Sequence, residues 1–234
     1  MEKKNMLILG ISTTTKTGSI ALYDENKGLL GEITVDIEKT HSGTLLDKLD
    51  KLLEWTSKKV ADIDEVAVSN GPGSFTGVRI AAATVKGLFF MKKVPVYSVN
   101  ELDALAYQIN VQNEKIVSVI DSRKEKIYYS ISEINESGLN LLEEYQVAKL
   151  DELLEKLSKD NTVYYFSGDG AFNYKEKIME KLGENAKFPL YSNIKIKAST
   201  LILIRKKYKK SDIYSLEPYY LEKSQAEKEI KNGT

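Results

Sequence analysis

The sequence predicts an α/β protein built from two related halves, and three observations predict it. Short runs of branched apolar residues alternate with longer stretches whose apolar positions recur every three or four residues. A strand–turn–strand unit at the start of the chain recurs after residue 115. The 234 residues also suffice to bury a core without cross-links, and the chain has no cysteine to supply any.

Residues 6–11 read as a buried strand. A polar turn follows at 12–18, a returning strand at 19–23, a second turn at 24–28 and a third strand at 29–37. The chain therefore opens with an antiparallel meander. Thr40 is a candidate helix N-cap. Beyond it Leu45, Leu46, Leu49, Leu52 and Leu53 repeat at helical spacing, with charged residues on the other face. This is an amphipathic helix whose leucine stripe is read as core. Residues 66–68 form a strand that enters a glycine-rich loop, and a helix spans 76–91. A strand at 94–99 and a helix at 101–109, with Asn100 as a possible cap, complete the first half.

The pattern then restarts. Residues 116–120 repeat the first strand, 121–125 the polar turn and 127–134 the returning strand. A helix near 151–158, a strand at 163–166, a glycine turn at Gly168-Asp169-Gly170 and a helix at 174–182 follow. The last helix is placed at 198–210. The division falls between an N-terminal subdomain 1–109 and a C-terminal subdomain 110–234.

Composition narrows the function. Lysine plus arginine and aspartate plus glutamate both total 34, so contact with RNA requires a local patch or another subunit. Without cysteine there is no thiolate catalysis, zinc–thiolate site or iron–sulfur cluster. The single histidine, His41, is read as a helix-start residue in preference to a catalytic one. No catalytic residue and no metal site is expected. The apolar run at 6–9 is too short for a leader or a membrane span, and a cytoplasmic protein is expected.

The loop Gly71-Pro72-Gly73-Ser74-Phe75-Thr76-Gly77 joins a strand to a helix. Its glycines allow close backbone approach, and free amides at a helix start favour an anion. It matches neither the Rossmann spacing nor a Walker A loop, so a tight turn that positions the helix is preferred over phosphate binding. Between residues 78 and 91 only Arg79, Thr84 and Lys86 are polar. A helix apolar on so many sides must be covered on more than one, and its own sheet can cover only one. At roughly 24 Å, from about 1.5 Å per residue, it is too short to span a membrane. The small Ala81, Ala82, Ala83 and Gly87 permit close approach of another helix.

The stretch Asn70-Gly-Pro-Gly-Ser-Phe-Thr-Gly-Val-Arg-Ile80 resembles the signature of the TsaB (YeaZ) family. Leu7-Ile-Leu-Gly-Ile-Ser-Thr13, His41-Ser-Gly-Thr-Leu-Leu46, Asp121-Ser-Arg123 and Glu217-Pro-Tyr-Tyr-Leu221 extend the resemblance over nearly the whole chain. It implies an actin/hexokinase-like (ASKHA) fold of two duplicated subdomains with mixed sheets flanked by helices, the second reduced. It further implies a non-catalytic subunit in the formation of threonylcarbamoyladenosine on transfer RNA. Such a subunit pairs with the catalytic paralogue TsaD, is joined by the ATPase TsaE, and meets transfer RNA only through the complex.

The resemblance places the partner interface on the helices at 40–55 and 76–91, with His41, Leu45, Thr76, Arg79, Ala82, Ala83, Lys86 and Phe90. Ala82 is taken as the outward small position, with Ala83 as the alternate. In isolation the same face is expected to form a homodimer. The metal-binding histidine pair of the catalytic paralogue cannot form, because Leu45 stands four residues after His41. Ser12 replaces the aspartate common in the first phosphate turn of the family. No intrinsic cofactor is expected. ATP or ADP would belong to the complex interface, and Ser12, Thr13 and Asp121 are the nucleotide candidates within this chain. A stand-alone ASKHA-type ATPase or peptidase-like enzyme is the alternative. The basic run 205–210 is read as a solvated face in preference to a transfer-RNA contact.

Overall fold

A computed structural model describes residues 6–36, 43–123, 125–190 and 194–222. The opening meander is β1 (Leu7–Ser12), β2 (Thr17–Asp24) and β3 (Gly28–Asp36). Then come α1 (Leu45–Thr56), β4 (Ile63–Gly71), α2 (Phe75–Phe89), β5 (Val96–Asn100) and α3 (Glu101–Tyr107). The second half contains β6 (Lys115–Asp121), β7 (Lys126–Asn135), β8 (Gly138–Lys149), α4 (Leu150–Leu157), β9 (Tyr164–Ser167), α5 (Asp169–Asn173), α6 (Lys175–Leu182) and β10 (Ala186–Lys187). The chain closes with α7 (Ala198–Ile204) and β11 (Lys210–Ser211).

The duplication suggested by the sequence is present in the topology. The first sheet runs β11-β5-β4-β1-β2-β3 and the second β10-β9-β6-β7-β8. In each, an antiparallel meander extends to one side of its first strand and two parallel strands to the other. Both faces of β1 are covered, which is why it reads as an unbroken apolar run. Leu7, Leu9 and Ile11 pack beneath α1 and α2, while Ile8 turns to the opposite face. There α3 and α7 lie between the two sheets and share a core with Ile120 and Tyr128 of the second. Val117 and Val119 face outward under α4 and α6.

Three local expectations change. The strand β8 was not anticipated: it lies at a sheet edge, and its glutamates and half-exposed positions hide any alternation. The glycine turn at 168–170 already opens a helix, α5. The last helix ends at Ile204, not 210, because Arg205 turns inward, 5% exposed, to ion pairs with Glu65 (2.9 Å) and Glu25 (2.6 Å). The expected N-cap Thr40 lies outside the described residues, and α1 begins at Leu45 after Thr44. The chain's end does not stay with the second sheet. β11 pairs antiparallel with β5, and α7 packs across β1 and β2. Among the described residues no helix is long and apolar enough to cross a membrane.

Candidate functional site

The turn after β1 and the loop before α2 are pressed together. The Thr13 hydroxyl donates to the carbonyl of Gly77 (2.7 Å), and the Ser74 amide donates to the carbonyl of Thr14 (2.6 Å). Ser74 caps α2, its hydroxyl accepting from the Gly77 amide (3.2 Å), and its carbonyl accepts from Val78 (2.9 Å). A Cβ on Gly77 would sit 1.8 Å from the Thr13 carbonyl oxygen. Gly73, at φ +153°, leaves a Cβ only 2.3 Å from the Thr14 oxygen. The amides of Ser74, Gly77 and Val78 at this helix start are bonded within the protein, and the loop has the geometry of a helix-positioning turn.

Beneath that loop lies a buried polar cluster that the sequence did not announce. Ser12, Thr13 and Thr14 are all buried. The Ser12 hydroxyl stands 3.1 Å from both carboxylate oxygens of Glu101 and 3.3 Å from the Thr14 hydroxyl. Glu101 opens α3 directly after Asn100, whose side chain caps the helix by accepting from the Leu102 amide (2.9 Å). Burial pushes the Glu101 carboxyl up to about 7, with hydrogen bonds from Ser69, Thr14 and Ser12 opposing it. Asp169 opens α5, and burial raises it to about 6 while the Asp121 amide donates to it (3.2 Å). Asp121 itself is half-buried and enclosed by the Arg123 amide (2.8 Å), the Tyr174 hydroxyl (3.1 Å) and Asn173 (3.0 Å). Of the three nucleotide candidates, Ser12 and Thr13 present no surface, and Asp121 has its oxygens engaged.

The cluster carries a pH dependence of defined sign. The folded pKa of Glu101 lies above its ordinary 4.5, so the native state holds a proton the unfolded chain releases. Its contribution is fully present below pH ~4.5 and is lost as pH rises to about 7. Asp169 acts in the same direction between 3.8 and about 6. In Glu101→Gln, the fall in unfolding free energy between pH 5 and 7 should be shallower than in the wild type by up to one proton. Urea titrations across this range measure it, and parallel curves for the two proteins would contradict the assignment.

The expected docking residues divide by direction. Thr76, Arg79, Ala83 and Phe90 are exposed and Lys86 is half-buried. Gly87 lies on the same side, and a Cβ there would meet nothing within 4 Å. Leu45 and Ala82 do not belong to the surface. Both lie in the core under α1 and α2, at 2% and 9% exposure. Ala82 faces β4 and β1 because it falls on the same helical face as Val78, Ala81, Val85 and Phe89. Ala83, the alternate, is the outward position. His41 lies outside the described residues.

The segment Glu217-Pro218-Tyr219-Tyr220-Leu221 straps the two halves together. The Tyr219 amide donates to the Asn70 carbonyl (2.7 Å), and its ring meets Tyr145 of β8 edge-on at 6.0 Å. Tyr220 stacks on Phe75 at 4.5 Å and accepts from the Arg79 Nε (2.9 Å). Glu222 pairs with Lys126 on β7. The strap thus fixes the first turn of α2 and orients Arg79 on the exposed face.

Two sheets that share a five-strand order, the first extended by β11, around shared helices, with Ser12 bonded to Glu101 and Asp121 to Asp169 at the paired turns, define the actin/hexokinase-like (ASKHA) fold. YeaZ from Pseudomonas aeruginosa superimposes with a TM-score of 0.74 at 23% identity, covering 92% of this chain and all of that one. Component A of (R)-2-hydroxyglutaryl-CoA dehydratase from Acidaminococcus fermentans gives 0.50 at 12%, covering 86% and 98%. The family model "TsaD: tRNA N6-adenosine threonylcarbamoyltransferase" matches residues 19–229. The chain belongs to this family, and within it to the TsaB (YeaZ) group. The tRNA threonylcarbamoyladenosine biosynthesis protein TsaB of Bacillus subtilis is 27% identical over 222 residues, 95% of this chain and 96% of the relative. TsaB of Haemophilus influenzae is 33% identical over 131 residues, 54% of each.

Proposed function

We propose that this chain works in the formation of threonylcarbamoyladenosine on transfer RNA as a non-catalytic subunit. It heterodimerises with the catalytic paralogue TsaD through the outer faces of α1 and α2, and the ATPase TsaE joins the pair in the cytoplasm. The observation that carries the reading is α2 itself: one face is sealed against the sheet, and the other is an open stripe of Thr76, Arg79, Ala83, Gly87 and Phe90. Small residues on an open helix face let a partner helix approach closely. Self-association through the same stripe is the expected state without the partner.

A stand-alone ATPase or peptidase-like enzyme is the less favoured reading. A phosphate brought to Ser12 would have to displace Thr13 and Thr14 from their bonds and would meet the Glu101 carboxyl. Nucleotide, ATP or ADP, is therefore assigned to the complex interface. With ATP and Mg²⁺ the purified chain should show no turnover. Mixed with TsaD and TsaE from the same genome and a threonylcarbamoyl donor, it should support modification of transfer RNA. Hydrolysis by the chain alone, or full modification by the other two without it, would overturn the proposal.

A further inference from the structure

The basic run at 205–210 does not act as a unit. Arg205 is buried against Glu65 and Glu25, Lys206 pairs with Glu25 (3.2 Å) and Lys207 with Asp103 (3.2 Å). Lys209 and Lys210 are exposed and have no carboxylate partner among the described residues. Neither has Lys93, which the pairing of β11 with β5 brings to the same place. The three lysines line a groove of about 720 Å³ with Val94, Pro95 and Tyr214. Its one carboxylate, Asp212, is exposed, with its Oδ1 held by its own loop, accepting from the amides of Tyr214 and Ser215 and from the Ser215 hydroxyl. Tyr214 is 60% exposed and is braced edge-on by Phe90 at 6.3 Å.

We propose that this groove binds the transfer RNA, with Lys93, Lys209 and Lys210 on backbone phosphates and the Tyr214 ring against an unpaired base. The chain is neutral overall, so attraction for RNA must be local, and here three unpaired cations converge. Lysines interleaved with an open aromatic ring suit a strand whose bases are unstacked, since phosphates supply affinity and the ring supplies stacking. An acidic protein would use the charges but not the ring. The choice of transfer RNA rests on the function proposed above; the groove's preference for a polyanionic strand does not.

The test is filter binding of an unmodified transfer-RNA transcript to the full chain and to its complex with TsaD, at ~50 and ~200 mM salt. The triple variant Lys93→Glu/Lys209→Glu/Lys210→Glu should lose roughly tenfold or more in affinity at low salt, and its salt slope should fall by about two to three. Tyr214→Ala should weaken binding while leaving the slope unchanged. The milder triple lysine-to-glutamine variant repeats the experiment if charge reversal disturbs folding, checked by circular dichroism. Unchanged affinity and slope in the folded variants, or no RNA binding by either wild-type preparation, would overturn the groove. Retained RNA binding with loss of TsaD or TsaE would make it a protein interface instead. Ala83→Glu separates the two proposals: it removes the complex and should leave RNA binding by the free chain intact.

Discussion

Ala83→Glu should abolish both self-association and assembly with TsaD in a chain that folds normally. Ala83 stands in the middle of the open stripe of α2, and a glutamate there is solvated in the free chain. A standard interface buries about 800 Å² per partner, and a charge left unpaired at its centre costs ~3–5 kcal/mol. That is a loss of roughly two to four orders of magnitude in affinity. Ala82→Glu should behave differently. At 9% exposure in the core, it would carry a carboxylate among apolar side chains or force them apart, so the variant should lose thermal stability. Sedimentation with and without the partner, paired with circular dichroism, separates the two outcomes. A folded Ala83→Glu that still dimerises and still binds TsaD would remove α2 from the interface.

Gly77→Ala should be the most damaging single methyl addition in the loop. The new Cβ would fall 1.8 Å from a backbone oxygen, so either the β1 turn or the start of α2 must shift. Either movement breaks the bond from Thr13 to the Gly77 carbonyl and loosens the Thr14 contact with Ser74. Overpacking of this kind reaches the upper end of ~1–3 kcal/mol or exceeds it. At ~2–4 °C per kcal/mol for a chain of this size, the melting temperature should fall by roughly 6–12 °C. Gly87→Ala is the matched control. It lies in the same helix with open space around its Cβ, and removing a helix glycine should gain ~0.5–1 kcal/mol. Thermal unfolding of both variants checks the contrast, and equal melting temperatures would contradict the packing described for the loop.

The order of elements was legible because it rests on short-range patterning. Branched apolar runs gave β1 and β6, an aromatic run gave β9, and leucines at helical spacing gave α1. The restart at residue 116 was legible for the same reason, and so was the likeness of the Asn70–Ile80 stretch to its family. β8 was illegible because Leu142 faces out and Glu143 faces in, bonded to Tyr129, which breaks the alternation expected of a half-covered strand. The direction of Ala82 against Ala83 was also beyond the sequence. In a helix apolar nearly all round, periodicity cannot tell the sheet side from the open side.

The sequence by itself determined an α/β chain of two related halves, without thiols, with one histidine, and with a helix too apolar for its own sheet to cover. Only the tertiary structure decided how distant residues are spent. It set Glu101 against Ser12 across 89 positions, turned Arg205 inward to Glu65 across 140, and laid Tyr220 over Arg79 across 141. It also left Lys209 and Lys210 beside Lys93 without a carboxylate partner among the described residues, while their neighbours in the same run were paired. The physical reason is one of range. Helix and strand periodicity is fixed by neighbours a few residues apart, whereas burial, charge pairing and exposed faces depend on which surfaces the packed sheets bring together.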